Sequence, residues 1–321
     1  MKNERRAPVI VVGYNRAFVL RRALDNLSEC ANFAEHPVYV YLDGVRENRK
    51  DDAGFVNETR IMVESFCKKH ANVTAIHRPV NLGCFGNIVQ AINEILEKHG
   101  RMILVEDDVL VSRTFLQYMD DALRFYKNDK RIWSVNAYQC RYLRVPSDYP
   151  HDVYLNVRNW TPGWGTWCDR WKSVRFDLSD WDEYKRKEEN IARIDNAGIG
   201  IRSMLEKQAN VPEQFNAWDV CCTYHMIKNG LYSVEPRFSL TKNIGFGMRA
   251  EHCAGSDPTM PTQKYYNFSP KLVGDIQPNE KITKQFRYLS IDPRFVSRVI
   301  RKLKRIWWGQ GPTYDEPIDA P

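Results

Sequence analysis

The chain has 321 residues, of which 43% are hydrophobic, and a formal net charge of +7 at pH 7. That length allows one large domain or two small ones with a real core, and a charge this modest matters more by its placement than by its size. No apolar run approaches the roughly 20 residues of a spanning helix, "MKNERRAPVIVVGYNR" is no signal peptide, and eight scattered cysteines without a CxxC pair point to reduced cytosolic thiols, not to a zinc site or disulfide scaffold.

The first part of the chain alternates strand and helix signals. "PVIVVGY" (8–14) reads as a buried strand, and "RAFVLRRALDNL" (16–27) has helical spacing through Val19, Leu20, Ala23, Leu24 and Leu27. "VYVYLDG" (38–44) is a second strand closed by an Asp-Gly turn signal. A helix over 57–70 leads to a third strand at 72–79, and a helix over 85–100 ends on glycine before a fourth strand, "MILVEDD". Such alternation predicts βαβ units and an α/β fold with a mainly parallel sheet flanked by helices.

In sheets of that kind, ligands bind beyond the carboxyl ends of the strands. Arg16, Asp43, Asn81 and the triplet Glu106-Asp107-Asp108 each follow directly on a predicted strand, so they are expected to converge on one rim. Three adjacent acids at the end of a buried strand repel one another and are costly to desolvate. A solvated strand end explains an isolated triplet. Matching polar residues on the neighbouring strands favour a hard divalent cation instead, held by one or two carboxylates with phosphate and water.

After about residue 137 the alternation fades and aromatic residues crowd in. "RNWTPGWGTWCDRW" (158–171) holds four tryptophans, which are either core or apolar platforms for sugar faces. "NAWDVCCTYHMIKNGLYSVEP" (216–236) reads as a helix from Trp218 that closes near Gly230, then a short strand. Asp219 at that helix start is either a cap or a general base. "NIGFGMRAEHCAGSDPT" (243–259) reads as a loop able to close over a ligand, and "VSRVIRKLKRIWW" (296–308) as a basic amphipathic helix that either packs on the domain or lies on an anionic membrane surface.

"VIVVGYNR", "YLDG", "LVEDDVLV" and "FLQYMDDAL" resemble the donor half of GT-A glycosyltransferases, whose fold is Rossmann-like. The Glu-Asp-Asp triplet is similar to that of animal N-acetylglucosaminyltransferase I and related enzymes. "IWSVNAY" (132–138), "TPGWGTW" (161–167) and "FNAWDV" (215–220) resemble that family's later segments in the same order. Bacterial capsule and lipopolysaccharide transferases share the plan, and a chain without a membrane anchor fits them better. The resemblance implies a donor-binding half over 1–136, an acceptor-binding and catalytic half over 137–290, and a basic tail over 291–321.

It also implies roles residue by residue. Arg16 contacts the nucleotide, Asp43 accepts from the uracil N–H, and Glu106 and Asp107 lie along the ribose and donor sugar. Asp108 binds Mn²⁺ or Mg²⁺ at the diphosphate of a UDP-sugar. Asn81, Asn87 and Trp164 are further donor contacts, with Gly83, Gly163 and Gly165 permitting close backbone approach. Trp218 meets a glycan or lipid-linked saccharide acceptor, and Asp219 is the base of an inverting transfer. His252 matches a histidine that several GT-A enzymes use as a second metal ligand, although the N-acetylglucosaminyltransferase I pattern lacks it. The expected setting is bacterial surface polysaccharide synthesis, cytoplasmic or peripheral to the membrane, with no nucleic-acid partner.

Three rivals share parts of this pattern. A nucleotidyltransferase of similar fold calls for a Gly-rich basic loop after the first strand, where this chain has "GYNRAFVLRR". A metal nuclease calls for basic residues around the acids rather than in the tail. A non-catalytic glycan-binding relative leaves the metal and base candidates without a purpose.

Overall fold

The computed structural model describes residues 5–245 and 264–288. Its first part follows the expected alternation: β1 (Val9–Gly13), α1 (Ala17–Ser28), β2 (Val38–Leu42), α2 (Ala53–Cys67), β3 (Val73–His77), α3 (Gly83–His99) and β4 (Arg101–Glu106). Then come β5 (Val109–Val111), α4 (Phe115–Phe125), β6 (Ile132–Asn136), β7 (Val153–Asn156) and β8 (Trp164–Trp167). Four helices follow, α5 (Cys168–Trp171), α6 (Trp181–Tyr184), α7 (Glu188–Ala197) and α8 (Ile201–Asn210). The described chain closes with α9 (Trp218–Asn229), β9 (Tyr232–Pro236), β10 (Thr241–Asn243) and α10 (Glu280–Phe286).

Eight strands form one sheet in the order β3-β2-β1-β4-β8-β6-β9-β7. Strands β3, β2, β1 and β4 are parallel, as expected. Antiparallel β8 lies between β4 and β6, and antiparallel β7 closes the edge against β9, so the sheet is more mixed than the periodicity suggested.

Period-two alternation sorts the β1 residues between two cores. Val9 and Val11 face a layer with Leu20, Leu24 and Leu27 of α1 and Val63 and Phe66 of α2. Ile10 and Val12 face the opposite layer with Ile88, Ile92 and Ile95 of α3 and Trp218 and Met226 of α9. Each such aliphatic side chain gains about 1.5–3 kcal/mol from burial, so α1 and α3 are held by one face each. α3 stops at Gly100, whose left-handed φ of 76° ends the helix and returns its N–H to Leu96.

Gly163 and Gly165 serve packing rather than ligand approach. A Cβ on Gly165 would lie 2.5 Å from the Met102 carbonyl of β4, and one on Gly163 2.8 Å from Thr241. These glycines let β8 enter the sheet. The tryptophan-rich segment is likewise core: Trp164 is 0% exposed and stacks between Trp133 (5.7 Å, 12°) and Trp218 (5.5 Å, 22°), with Trp171 alongside. Trp164→Ala is expected to cost about 3–5 kcal/mol of stability, the usual range for deleting a buried aromatic, read as a shifted denaturant midpoint. A loss below about 1 kcal/mol would contradict the stack.

Candidate functional site

β1, β2, β3, β4, β6 and β9 all run one way, so their carboxyl ends share a rim. Register places Leu42 beside Gly13 and Glu106 beside Val12, so Asp43, Arg16 and the acid triplet follow neighbouring strands. β4 ends at Glu106, and after a turn at Asp107 and Asp108 the chain leaves the main sheet as β5, which pairs with β10. The acids therefore occupy the point where the chain changes sheets.

Arg16 is the residue before α1, but its side chain makes no cap. Its guanidinium crosses instead to the acids. Nε donates to Asp107 Oδ2 at 3.1 Å, and Nη2 donates to Asp107 Oδ1 and, at 3.0 Å, to Asp108 Oδ2. Burial works against the arginine's charge, yet Asp107 and Asp108 outweigh it and raise its pKa. Burial pushes Asp107 up to about 6 against the pull of Arg16. Burial and then Asp108 push Glu106 up to about 8, partly offset by a hydrogen bond with Thr161.

Asp108 is enclosed from the other side by β10 and the residues after it. Asn243 Nδ2 donates to Asp108 Oδ1 at 3.3 Å, and Ile244 N donates to the Asp108 carbonyl at 2.7 Å. A Cβ on Gly245 would lie 1.9 Å from Asp108 Oδ2, so only glycine fits there with Asp108 where it is.

Asp43 is buried, and this raises its pKa. Its carboxylate accepts from Gly44 N (2.9 Å), Leu82 N (2.8 Å) and Asn81 Nδ2 (3.1 Å). Asn81 also donates to Gly44 O and accepts from Gly83 N, so it ties the loops after β2 and β3 together around Asp43. Asn87 is buried in α3 and accepts from Arg78 Nε at 3.3 Å.

Asp219 lies in the first turn of α9, half-buried. Its charge acts on Glu106. Partial desolvation, then the charges of Glu106, Asp219, Asp107 and Asp108, raise the pKa of the thiol of Cys84, a residue still exposed to solvent. A single side chain at the start of α3 thus feels all four acids, although Asp219 lies more than a hundred residues beyond the triplet.

Trp164 and Trp218, expected as a donor and an acceptor contact, are instead both buried, Trp218 at 5% exposure. Their faces pack on one another, so they shape the site by supporting α9 and β8 rather than by stacking on a sugar. Trp160 is half-buried, and the guanidinium of buried Arg158 lies 4.3 Å from its ring centre. His252 and the segment 296–308 lie outside the described residues.

Sequence reasoning missed Thr161, Asn243, Gly245 and Arg158, and also Glu235. The last is wholly buried on β9, where Tyr154 Oη donates to it at 2.6 Å and Asn156 donates through its amide. Burial pushes its pKa from 4.5 up to about 8, with those hydrogen bonds and Arg158 opposing. The fold thus favours the protonated form: the stability this group contributes is full below about pH 4.5 and is lost as pH rises through about 8. Glu235→Gln is expected to flatten the fall in melting temperature across that window. An unchanged slope would show that Glu235 does not cause it.

Metal fit can be judged on donor chemistry. Among the described residues, no group of three or more His, Cys, Asp and Glu side chains is arranged to hold a metal ion. A hard divalent cation needs only one or two carboxylates when phosphates and water complete its shell, and the adjacent Asp107 and Asp108 supply that set. The residues fit a cation that arrives with a phosphate ligand.

The model of the GNT-I family matches residues 1–196. An Arabidopsis thaliana alpha-1,3-mannosyl-glycoprotein 2-beta-N-acetylglucosaminyltransferase is 24% identical over 201 residues, covering 57% of this chain and 43% of that protein. The chain therefore spans less than half the length of this curated relative. Among solved structures, the mannosyltransferase PcManGT from Pyrobaculum calidifontis in complex with GDP-Man and Mn²⁺ aligns at 17% identity and a TM-score of 0.36, covering 52% of this chain and 46% of that one. S. aureus TarS 1-349 aligns at 14% identity and a TM-score of 0.35, covering 50% and 47%. With the family model covering well over half of its residues, the chain belongs to the GNT-I family.

Proposed function

We propose that this protein is a metal-dependent, inverting glycosyltransferase that moves a sugar from a UDP-sugar to a hydroxyl of a glycan or lipid-linked saccharide. One observation carries the reading: Arg16, Asp43, the acid triplet and Asp219, distant in sequence, meet at one rim of the sheet. Family membership supports it.

In this reading the braced Asp43 carboxylate accepts from the base, and Arg16 meets the diphosphate. Asp108, joined in this reading by Asp107, which the resemblance placed along the donor, would hold Mn²⁺ or Mg²⁺; such an ion would neutralise charge on the departing nucleoside diphosphate. Glu106, fixed by Thr161, hydrogen-bonds the donor sugar or ribose. Asp219 takes the proton from the acceptor hydroxyl as its oxygen attacks the anomeric carbon, and the carbon–oxygen bond to the diphosphate breaks on the opposite face. Half-buried Trp160 borders the acceptor side. A transfer assay tests this: UDP-sugars, Mn²⁺ and short saccharides are expected to yield UDP and an acceptor heavier by one sugar. Unchanged donor and acceptor across a broad panel would contradict it.

The proposed setting is the assembly of bacterial surface polysaccharide at the inner face of the cell membrane. No helix of the described residues is long and apolar enough to cross a membrane. The basic sequence after residue 290 would then supply surface attachment, each Lys or Arg near anionic lipid adding about 1 kcal/mol. Cutting the chain after residue 290 is expected to lower co-sedimentation with anionic liposomes and leave activity on a soluble acceptor. Equal binding by the shortened chain would remove the membrane assignment.

A further inference from the structure

Arg16 stands where a cation has to act. Its Nη2 bridges the two aspartates, contacting Asp108 Oδ2 at 3.0 Å and the nearer Asp107 oxygen, while Nε holds the other Asp107 oxygen at 3.1 Å. On its other side Asp108 Oδ1 accepts from Asn243 at 3.3 Å, and Gly245 leaves no room for a Cβ beside Oδ2. A divalent cation shared by Asp107 and Asp108 therefore meets Nη2, which already bridges them. Two cations between the same pair of carboxylates repel each other, so the ion and Arg16 compete for that position.

A nucleoside diphosphate changes that balance. Guanidinium binds phosphate oxygens in the same forked manner as carboxylate oxygens. A diphosphate thus offers Arg16 a new partner while it offers the metal extra ligands. We propose that Arg16 is an internal competitor for the metal seat on Asp107 and Asp108, so that divalent cation and nucleoside diphosphate bind this protein together rather than separately. This inference rests on the donor-site reading above and adds a direction of coupling to it. By linkage, the diphosphate tightens the metal by the same factor as the metal tightens the diphosphate.

The test is a set of titrations on the full chain, following bound Mn²⁺ by its paramagnetic resonance signal, with and without UDP. The wild type is expected to bind Mn²⁺ alone weakly and much more tightly with UDP. In Arg16→Gln, Mn²⁺ alone should bind on the order of ten- to a hundredfold more tightly, the equivalent of one charge-assisted hydrogen bond, and the gain from UDP should shrink. Arg16→Lys keeps the charge but loses the fork, so its Mn²⁺ affinity should fall between the two. If the wild type binds Mn²⁺ with UDP but Arg16→Gln, folded by circular dichroism, binds Mn²⁺ alone no more tightly, the competition is overturned while the donor site stands. If the wild type fails to bind Mn²⁺ even with UDP, the donor-site reading itself fails.

Discussion

Asp219→Asn is expected to lower sugar transfer by about 10²–10⁴-fold, the usual share of a positioned general base, with donor binding near normal. Asparagine keeps the size of the side chain and its hydrogen-bonding reach but cannot take a proton. The residue lies in the first turn of α9, where a carboxylate also favours the helix dipole by about 0.3–1 kcal/mol. A cap of that size moves stability slightly and turnover hardly at all. Paired measurements of melting temperature and initial rate therefore separate the two roles. Near wild-type turnover together with a lowered melting temperature would leave Asp219 as a cap.

For Asp108→Ala, loss of metal-dependent UDP binding is the expected outcome, with the fold retained. The carboxylate lies in a turn between two short pairings, and the backbone bond from Ile244 to the Asp108 carbonyl survives the substitution. Removing it also takes one partner from Arg16, leaving the guanidinium to Asp107 alone. Calorimetry with UDP and Mn²⁺ reads the effect directly. Undiminished metal-dependent affinity in the variant would move the metal seat elsewhere.

The shared rim was legible because the polar residues stand where apolar runs stop. Asp43 and Arg16 follow such runs and Glu106 closes one, and the parallel order of β1, β2 and β4 brings their ends side by side. Pairwise contacts were not legible: nothing in "GYNR" indicates that Arg16 reaches across to Asp107. The tryptophans misled for a related reason. A Gly-Pro-rich segment with four indoles suits a platform, but Trp133 and Trp218 come from distant elements to cover both faces of Trp164. Glu235 sits in a short strand that could have been an edge. It is buried because β9 lies between β6 and β7, a neighbourhood set by long-range pairing.

A metal-dependent nucleotide-sugar site is the claim on which the account turns, and thermal unfolding of the full chain against a panel of UDP-sugars, with Mn²⁺ or with chelator, tests it most directly. Ligand linkage gives about 2.7 kcal/mol of stabilisation at a hundredfold excess over the dissociation constant. At least one UDP-sugar is expected to raise the melting temperature by several degrees with Mn²⁺ and to lose that effect in chelator. An unmoved transition across the panel, or an equal shift with and without metal, would contradict it.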